Sequence, residues 1–484
     1  MKEPCKLRVV GKGGVEVSTP AAIDRLMAFV KERRRAPVAG DFEEFERDLH
    51  AQFVEAEREA LAWELAKADV DRESLLIEGV LYRRVLRSAQ TYQTAAGPVA
   101  VERTLYKDRS DASARSLAVL DARMGIVEGR WTPLAAKQAT WMVSQMTPQL
   151  AEEAFARMGN MAPSKSSLDR LPKDLSARWE SDREAFEEQL RAAIEIPEGT
   201  TTVAVSVDGV LAPMKGTDPV GTRSRAAEEG KLTKGPAGYR EVGCGTLSFC
   251  DAKGEMLGAI RMARMPEPHK ATLKKSLLAE LMSVLEHEPQ LRIAKVADGA
   301  KDNWTYLHDE LPEGPEIVDF YHATEHLNAA LAAAYGDGSL QTQRRFNDLR
   351  HVLREEPKGV DKVIAALAHV RRKHPHSKKI PTELEYFRNN RHRMQYAELA
   401  AQGIPIGSGV VEAACKTLVG QRLKCSGMRW GEHGGQAILT VRGWTQSARF
   451  DEAWALLAAT YQMQVTTLDN VVDIRRAKRQ SASG

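Results

Sequence analysis

Residues 201–214 read TTVAVSVDGVLAPM, a run of β-branched and apolar residues whose alternation predicts a strand with Asp208 at its carboxyl end. Two further strand-like runs follow, REVGCGTLSFC (240–250) and EMLGAIRMARM (255–265), separated by DAKG (251–254), which is a turn signal. The spacing then turns helical in HKATLKKSLLAELMSVLEHE (269–288). A strand LRIAKVADG (291–299) carries Asp298 at its end, a short helix lies near KDNWTYLHDEL (301–311), and PEIVDFYH (315–322) reads as a strand running into the helix ATEHLNAALAAAY (323–335). The order β-β-β-α-β-α-β-α predicts an α/β (α+β) domain, a mixed sheet with helices packed on it.

Beyond it, residues 337–402 are helical throughout, in SLQTQRRFNDLRHVLRE (339–355), KGVDKVIAALAHVRRK (358–373) and TELEYFRNNRHRMQYAELAAQ (382–402); the last opens with a capping box, Thr382 and Glu385. This insertion holds the most basic part of the chain, with eight Lys or Arg against two Glu between Arg371 and Arg393. GIPIGSGVVEAACKTLVGQRLKCSGMRW (403–430) then offers Ser408 as a cap and Glu412 in the first helical turn, where the helix dipole favours a carboxylate. Taken singly, an Asp at a strand end is most often a turn residue. Together, Asp208, Asp298 and Glu412 fall where adjacent strands and a following helix would gather three carboxylates, a hard-oxygen set suited to two Mg²⁺ or Mn²⁺ ions and phosphodiester chemistry.

On VSVDG (205–209), VADGAKDNW (296–304), VDFYHATEHL (318–327) and the segment around Glu412, the chain resembles the DDE transposases of bacterial insertion sequences, most closely the ISKra-type group. The resemblance covers about residues 200 to 445. It implies an RNase H-like catalytic domain with an all-helical insertion, and Asp208, Asp298 and Glu412 as the catalytic, metal-binding triad. It further implies two Mg²⁺ (or Mn²⁺) ions, and Asp319 with His322 as a supporting D-x-x-H element. The implied reaction is cleavage at transposon ends followed by strand transfer to target DNA. Double-stranded DNA and a homodimer or higher oligomer are the expected partners. Lys416, Arg422, Lys424 and Arg429 would contact phosphates beside the carboxylates, with Arg388, Arg391 and Arg393 doing so from the insertion; Trp430 reads as a core residue or a stacking platform.

DFYHATEHL (319–327) also holds the zinc-peptidase spacing H-x-x-E-H in His322, Glu325 and His326. A strand running straight into the motif argues against that reading, since both His must share a helical face. A DNA-binding regulator is the non-enzymatic alternative, resting on three short helices in 132–171 whose turn contains Gly159 and Pro163. A long polar helix, SARWESDREAFEEQLRAAI (176–194), would connect them to the sheet.

The remainder sets bounds. The chain has 484 residues, 43% hydrophobic and 28% charged, with a formal net charge of +3, so it is not a generic polycation. Its five scattered cysteines argue against a disulfide framework. Neither a signal peptide nor a membrane span is indicated, which predicts a cytoplasmic protein, associated with the nucleoid when acting on DNA. In residues 41–69 a helix with an apolar stripe (Phe42, Phe45, Leu49, Phe53, Ala56, Ala60, Trp63) would pack on its own domain or self-associate; short strands follow in 75–106 around a Gly-Pro turn. The expected division is 1–110 (helix and strands), 111–195 (helix-turn-helix and connector), 196–336 (first part of the core), 337–402 (basic insertion), 403–460 (last part of the core) and 461–484 (disordered basic tail, with RRAKR at 475–479).

Overall fold

The computed structural model describes residues 21–111, 113–159, 161–215, 238–298, 301–407 and 409–468. Ser408 and the RRAKR cluster lie outside these residues. The chain divides into two compact units, one of Met1–Ala136, Glu152–Pro163 and Tyr461–Gly484, the other of Lys137–Ala151 and Ser164–Thr460. The insertion and both parts of the core therefore share one unit. No helix among the described residues is long and apolar enough to cross a membrane.

In the first unit, helices α1 (Ala21–Arg35) and α2 (Phe42–Ala68) precede strands β1 (Ser74–Ile77), β2 (Val80–Thr94), β3 (Gly97–Asp108) and β4 (Leu117–Ala118), and α3 (Val119–Met124). Asp41 caps α2 by accepting from the Glu44 amide. The expected stripe on α2 is buried only in part: Ala56 is buried and Phe45 and Leu49 are partly so, but Phe42, Phe53 and Trp63 are exposed while Val54, Leu65 and Ala68 are buried. The difference is a rotation of the helix, because Leu65 and Ala68 pack against the sheet side where Tyr92, Val99 and Val101 lie. The strands are longer than expected, and Gly97 and Pro98 open β3 instead of forming the turn, which falls at Ala95 and Ala96. The tail also departs from expectation, since Val465–Thr467 forms a strand antiparallel to β1.

Three helices follow as expected, α4 (Pro133–Gln145), α5 (Pro148–Met158) and α6 (Lys165–Ser181), the last capped by the Ser164 hydroxyl. The single connector helix does not form. The backbone leaves helical geometry at Asp182 (φ −137°, ψ 37°), so α6 ends there and α7 (Arg183–Ala192) begins anew.

The second unit is built on a mixed sheet of β5 (Thr202–Pro213), β6 (Tyr239–Cys250), β7 (Met256–Arg264), β8 (Arg292–Ala297) and β9 (Glu316–Val318), in the spatial order β7-β6-β5-β8-β9. β5, β6 and β7 are antiparallel neighbours, whereas β8 runs parallel to β5 and β9 parallel to β8. β5 is apolar along most of its length because it is central: Val203, Ala204, Val205 and Val207 are all buried. Helix α8 (Ala271–His287) reaches β6 at Gly243 and Gly245, where an added Cβ would come within 2.9 Å of Leu273 and 3.2 Å of Leu277. Helix α9 (Lys301–Asp309) links β8 to β9, and α10 (Phe320–Tyr335) follows β9. β9 is shorter than expected. Its chain turns helical at Phe320 because Asp319 caps the helix, its carboxylate accepting from the His322 amide at 2.7 Å.

The insertion is helical, with α11 (Leu340–Glu355), α12 (Gly359–Lys373), α13 (Lys379–Asn389) and a short turn at Tyr396–Ala400. The expected capping box does not form. Helix α13 begins at Lys379, Thr382 lies in its first turn donating to the Lys378 carbonyl, and Glu385 pairs with Arg388. The core of the unit is continuous from the sheet into the insertion, through Leu353, Val363, Leu367, Leu384 and Phe387. After it come α14 (Gly409–Ala414), a π-helical stretch Cys415–Gly420, α15 (Glu432–Gln446) and α16 (Phe450–Ala459).

Candidate active site

The parallel register between β5 and β8 sets the geometry of the site. Thr202 pairs with Arg292 and Ser206 with Val296, so the same offset carried two positions further sets Asp208 opposite Asp298. Asp208 does not end its strand, as the sequence led us to expect. β5 continues to Pro213 in its pairing with β6, and Asp208 sits where the parallel ladder to β8 stops. Two half-buried carboxylates thus emerge together where neighbouring strands separate.

The polar surroundings of this pair are dense. One Asp208 carboxylate oxygen accepts from the Gly209 amide at 2.7 Å, and the other receives the Cys415 thiol at 3.4 Å. Burial raises the Asp208 pKa; the Gly209 hydrogen bond opposes this, the charge of Asp298 adds to it, and Cys415 and Lys270 lower it. The Cys415 thiol is itself held protonated, first by its hydrogen bond with Cys244 and then by burial, so it acts on Asp208 as a donor. Asn303, almost fully buried on α9, donates its side-chain amide to the Val207 carbonyl at 3.1 Å and to the Asp298 carboxylate at 3.3 Å. The Trp304 indole donates to the Asp298 backbone carbonyl at 3.1 Å. Lys270 reaches the Asn303 side-chain oxygen at 3.5 Å and pairs with Glu241 at 2.9 Å.

Glu412 lies in α14, which is anchored by buried Val411 and Ala414 against Ala212 of β5, Met214 just beyond it, and Val242 and Cys244 of β6. Its own side chain is exposed. The residue of this helical segment that touches Asp208 is Cys415, three positions on and hence on the same side of the helix. Among the described residues, no group of three or more His, Cys, Asp or Glu side chains is gathered closely enough to cage a metal. The donors at the centre nevertheless suit a hard cation: a carboxylate whose charge is disfavoured by burial and by a second carboxylate would gain from a neighbouring positive charge.

The cationic candidates fall into two sets. Lys416, Lys424 and Arg429 are exposed on the segment that follows Glu412. Arg422 is not positioned to meet a phosphate: it is 2% exposed, lies 5.2 Å from the centre of the Trp430 ring, and burial pushes its pKa down to about 10. Trp430 is a packing residue, partly buried on the α14 cluster with its indole donating to the Leu423 carbonyl. In the insertion, Arg388 pairs with Glu385, Arg391 with Asp361 at 2.9 Å, and Arg393 with Glu316 at 2.7 Å while lying over Trp304. Arg393 is thus held within the fold, whereas Arg388 and Arg391 stay largely exposed in surface pairs.

Asp319, 4% exposed, acts as the cap of α10, so D-x-x-H has a structural role there. The motif's two histidines do share a helical face, contrary to the expectation of a strand. The Nε2 atoms of His322 and His326 are 3.3 Å apart, and His326 stacks on Tyr386 with ring centres 3.6 Å apart.

Sequence reading missed Cys415, Asn303 and Lys270. Cys415 carried a usable signal, three residues after Glu412 on one helix. Asn303 and Lys270 carried none, because their role depends on how α8 and α9 lie on the sheet. No model of a known protein family and no curated protein matches this chain.

Proposed function

We propose that the protein is a DNA transposase of the DDE kind, with an RNase H-like core that cleaves phosphodiester bonds at transposon ends and joins the freed 3′-hydroxyl to target DNA. The observation that carries this reading is the matched placement of Asp208 and Asp298 on neighbouring parallel strands. The order β7-β6-β5-β8-β9, with a helical insertion before the Glu412 segment, supports the RNase H-like assignment. A DNA-binding regulator would have no use for the carboxylate pair.

In this mechanism Asp208, Asp298 and Glu412 would hold two Mg²⁺ or Mn²⁺ ions. When bound, such ions activate the attacking oxygen and stabilise the leaving one. The Gly209 amide and the Cys415 thiol hold the Asp208 carboxylate, and Asn303 holds that of Asp298. Lys416, Lys424 and Arg429 hold DNA phosphates beside them. Double-stranded DNA is the substrate and a homodimer or higher oligomer the acting form.

The test uses the DNA that flanks the coding region, where paired terminal repeats would lie. Asp208→Asn abolishes Mg²⁺-dependent cleavage of these ends and retains their binding; cleavage by the variant at the wild-type rate overturns the assignment.

A further inference from the structure

The face of α10 that carries His322 and His326 is a second polar centre, and its protonation pattern is set by carboxylates. His326 Nδ1 lies 2.5 Å from Glu383, whose side chain is 2% exposed and also pairs with Lys379 at 2.6 Å. Burial acts against ionisation of Glu383, but the hydrogen bonds from Lys379 and His326 are first among the causes that outweigh it and hold its pKa below the ordinary value. An ionised carboxylate only accepts, so the proton of the neutral His326 ring belongs on Nδ1. His322 Nδ1 lies 3.4 Å from Glu325, a more distant and largely exposed carboxylate. The two Nε2 atoms lie 3.3 Å apart with the rings nearly perpendicular, so either one carries a proton and donates to the other or both are free to take a cation. With no proton between them, two ring nitrogens this close repel unless a cation holds both.

We infer that His322 and His326 chelate a divalent transition-metal cation of the Zn²⁺ class through their Nε2 atoms. A tetrahedral ion about 2.0–2.1 Å from each nitrogen requires the two nitrogens to be about 3.3–3.4 Å apart, which is the separation found. Imidazole nitrogens select Zn²⁺, Co²⁺, Ni²⁺ or Cu²⁺ over Mg²⁺. The arrangement Glu383–His326–metal is the outer-shell pattern that orients a histidine ligand and raises its basicity. Among the described residues no third His, Cys, Asp or Glu joins the pair, so water completes the coordination. The two side chains are 34% and 27% exposed, which leaves a path for the ion. Without a third protein ligand this is not the peptidase site that H-x-x-E-H denotes. The assignment is independent of the carboxylate centre at Asp208 and of the proposed transposase activity.

The experiment is titration of the full chain with Zn²⁺ by calorimetry and with Co²⁺ by visible absorption, Mg²⁺ serving as comparison. One equivalent of Zn²⁺ or Co²⁺ binds to the wild type and to Asp208→Asn, and Mg²⁺ does not compete. His322→Gln, a substitution at a partly exposed position, abolishes this uptake, as does His326→Gln. Glu383→Gln weakens it by about 10–100-fold; circular dichroism confirms that each variant is folded. Absence of stoichiometric uptake by the wild type would mean that a shared proton alone fills the gap and would overturn the inference. Uptake that survives both histidine substitutions would overturn it equally.

Discussion

Asn303 ties Asp298 to the neighbouring strand: one side-chain amide nitrogen donates both to the Asp298 carboxylate and to the main-chain carbonyl of Val207, the residue before Asp208. The two carboxylates are therefore held by the same nitrogen, directly in one case and through the backbone in the other. Asn303→Ala leaves a buried carbonyl without its donor and costs about 1–3 kcal/mol, measured by urea denaturation. On the proposed transposase reading, its effect on cleavage should appear in kcat, because the carboxylates would lose their mutual alignment while DNA contacts remain. An unchanged denaturation midpoint would show that the bridge is not maintained in solution.

Asp208 also makes stability depend on pH in a predictable direction. Its folded pKa is raised, so the folded state binds this proton more tightly than the unfolded chain does. The contribution is fully present below the unfolded pKa and is lost as pH rises through the folded one. At neutral pH Asp208→Asn should therefore be more stable than the wild type, with the gain shrinking on acidification through the carboxylate range. Millimolar Mg²⁺ should narrow the same gap by stabilising only the wild type. A variant less stable than the wild type at neutral pH would contradict the burial argument.

The two sets of cations predict different phenotypes. Lys416→Ala, Lys424→Ala and Arg429→Ala each reduce the slope of log affinity against log salt by about 0.9 for every phosphate contact removed, and leave thermal stability unchanged. Arg393→Ala loses the Glu316 pair and the contact with Trp304, costs about 1–3 kcal/mol, and leaves the salt slope as it was. Binding isotherms at several salt concentrations, alongside melting curves, separate the two. If Arg393→Ala lowered the slope and spared stability, its assignment to the fold would fall.

Arg442 holds the π-helical stretch below the Glu412 helix. It is 4% exposed, and its guanidinium donates to the carbonyls of Leu418, Thr417 and Ser144. Hydrogen bonds to a charged group are worth about 1.5–3 kcal/mol each, so Arg442→Met should destabilise by at least about 3 kcal/mol. Because the residue touches neither carboxylate, activity measured well below the melting temperature should fall far less than stability does.

Periodicity made the sheet legible. The β-branched run of β5, the DAKG turn and the alternation of strand and helix afterwards lead to the observed element order, since each signal is local. The pairing of β5 with β8 is not local and follows only from the crossover through α8. The places where reading by eye misses share one cause. At α10 and α13 a side-chain cap or a first-turn contact moves a helix boundary, and at α2 the packing partner decides which of two apolar faces is buried. Of the site, the carboxylates stood out by position, whereas Asn303 and Lys270 became visible only when two helices were laid against the sheet edge. Arg422 and Arg393 looked like phosphate ligands because charge is visible in a sequence and burial is not.

The strand Val465–Thr467 pairs with Ser74–Ile77, so the amino-terminal sheet is completed by residues made nearly four hundred positions later. On the ribosome, β1 has one open edge until that late segment emerges, and an open edge is a template for pairing with another chain. Synthesis interrupted before Val465 releases a molecule whose carboxylate centre is encoded in full but whose first sheet is unclosed. A chain cut before Val465 should therefore self-associate more readily than the full chain, which light scattering of the two at equal concentration would read.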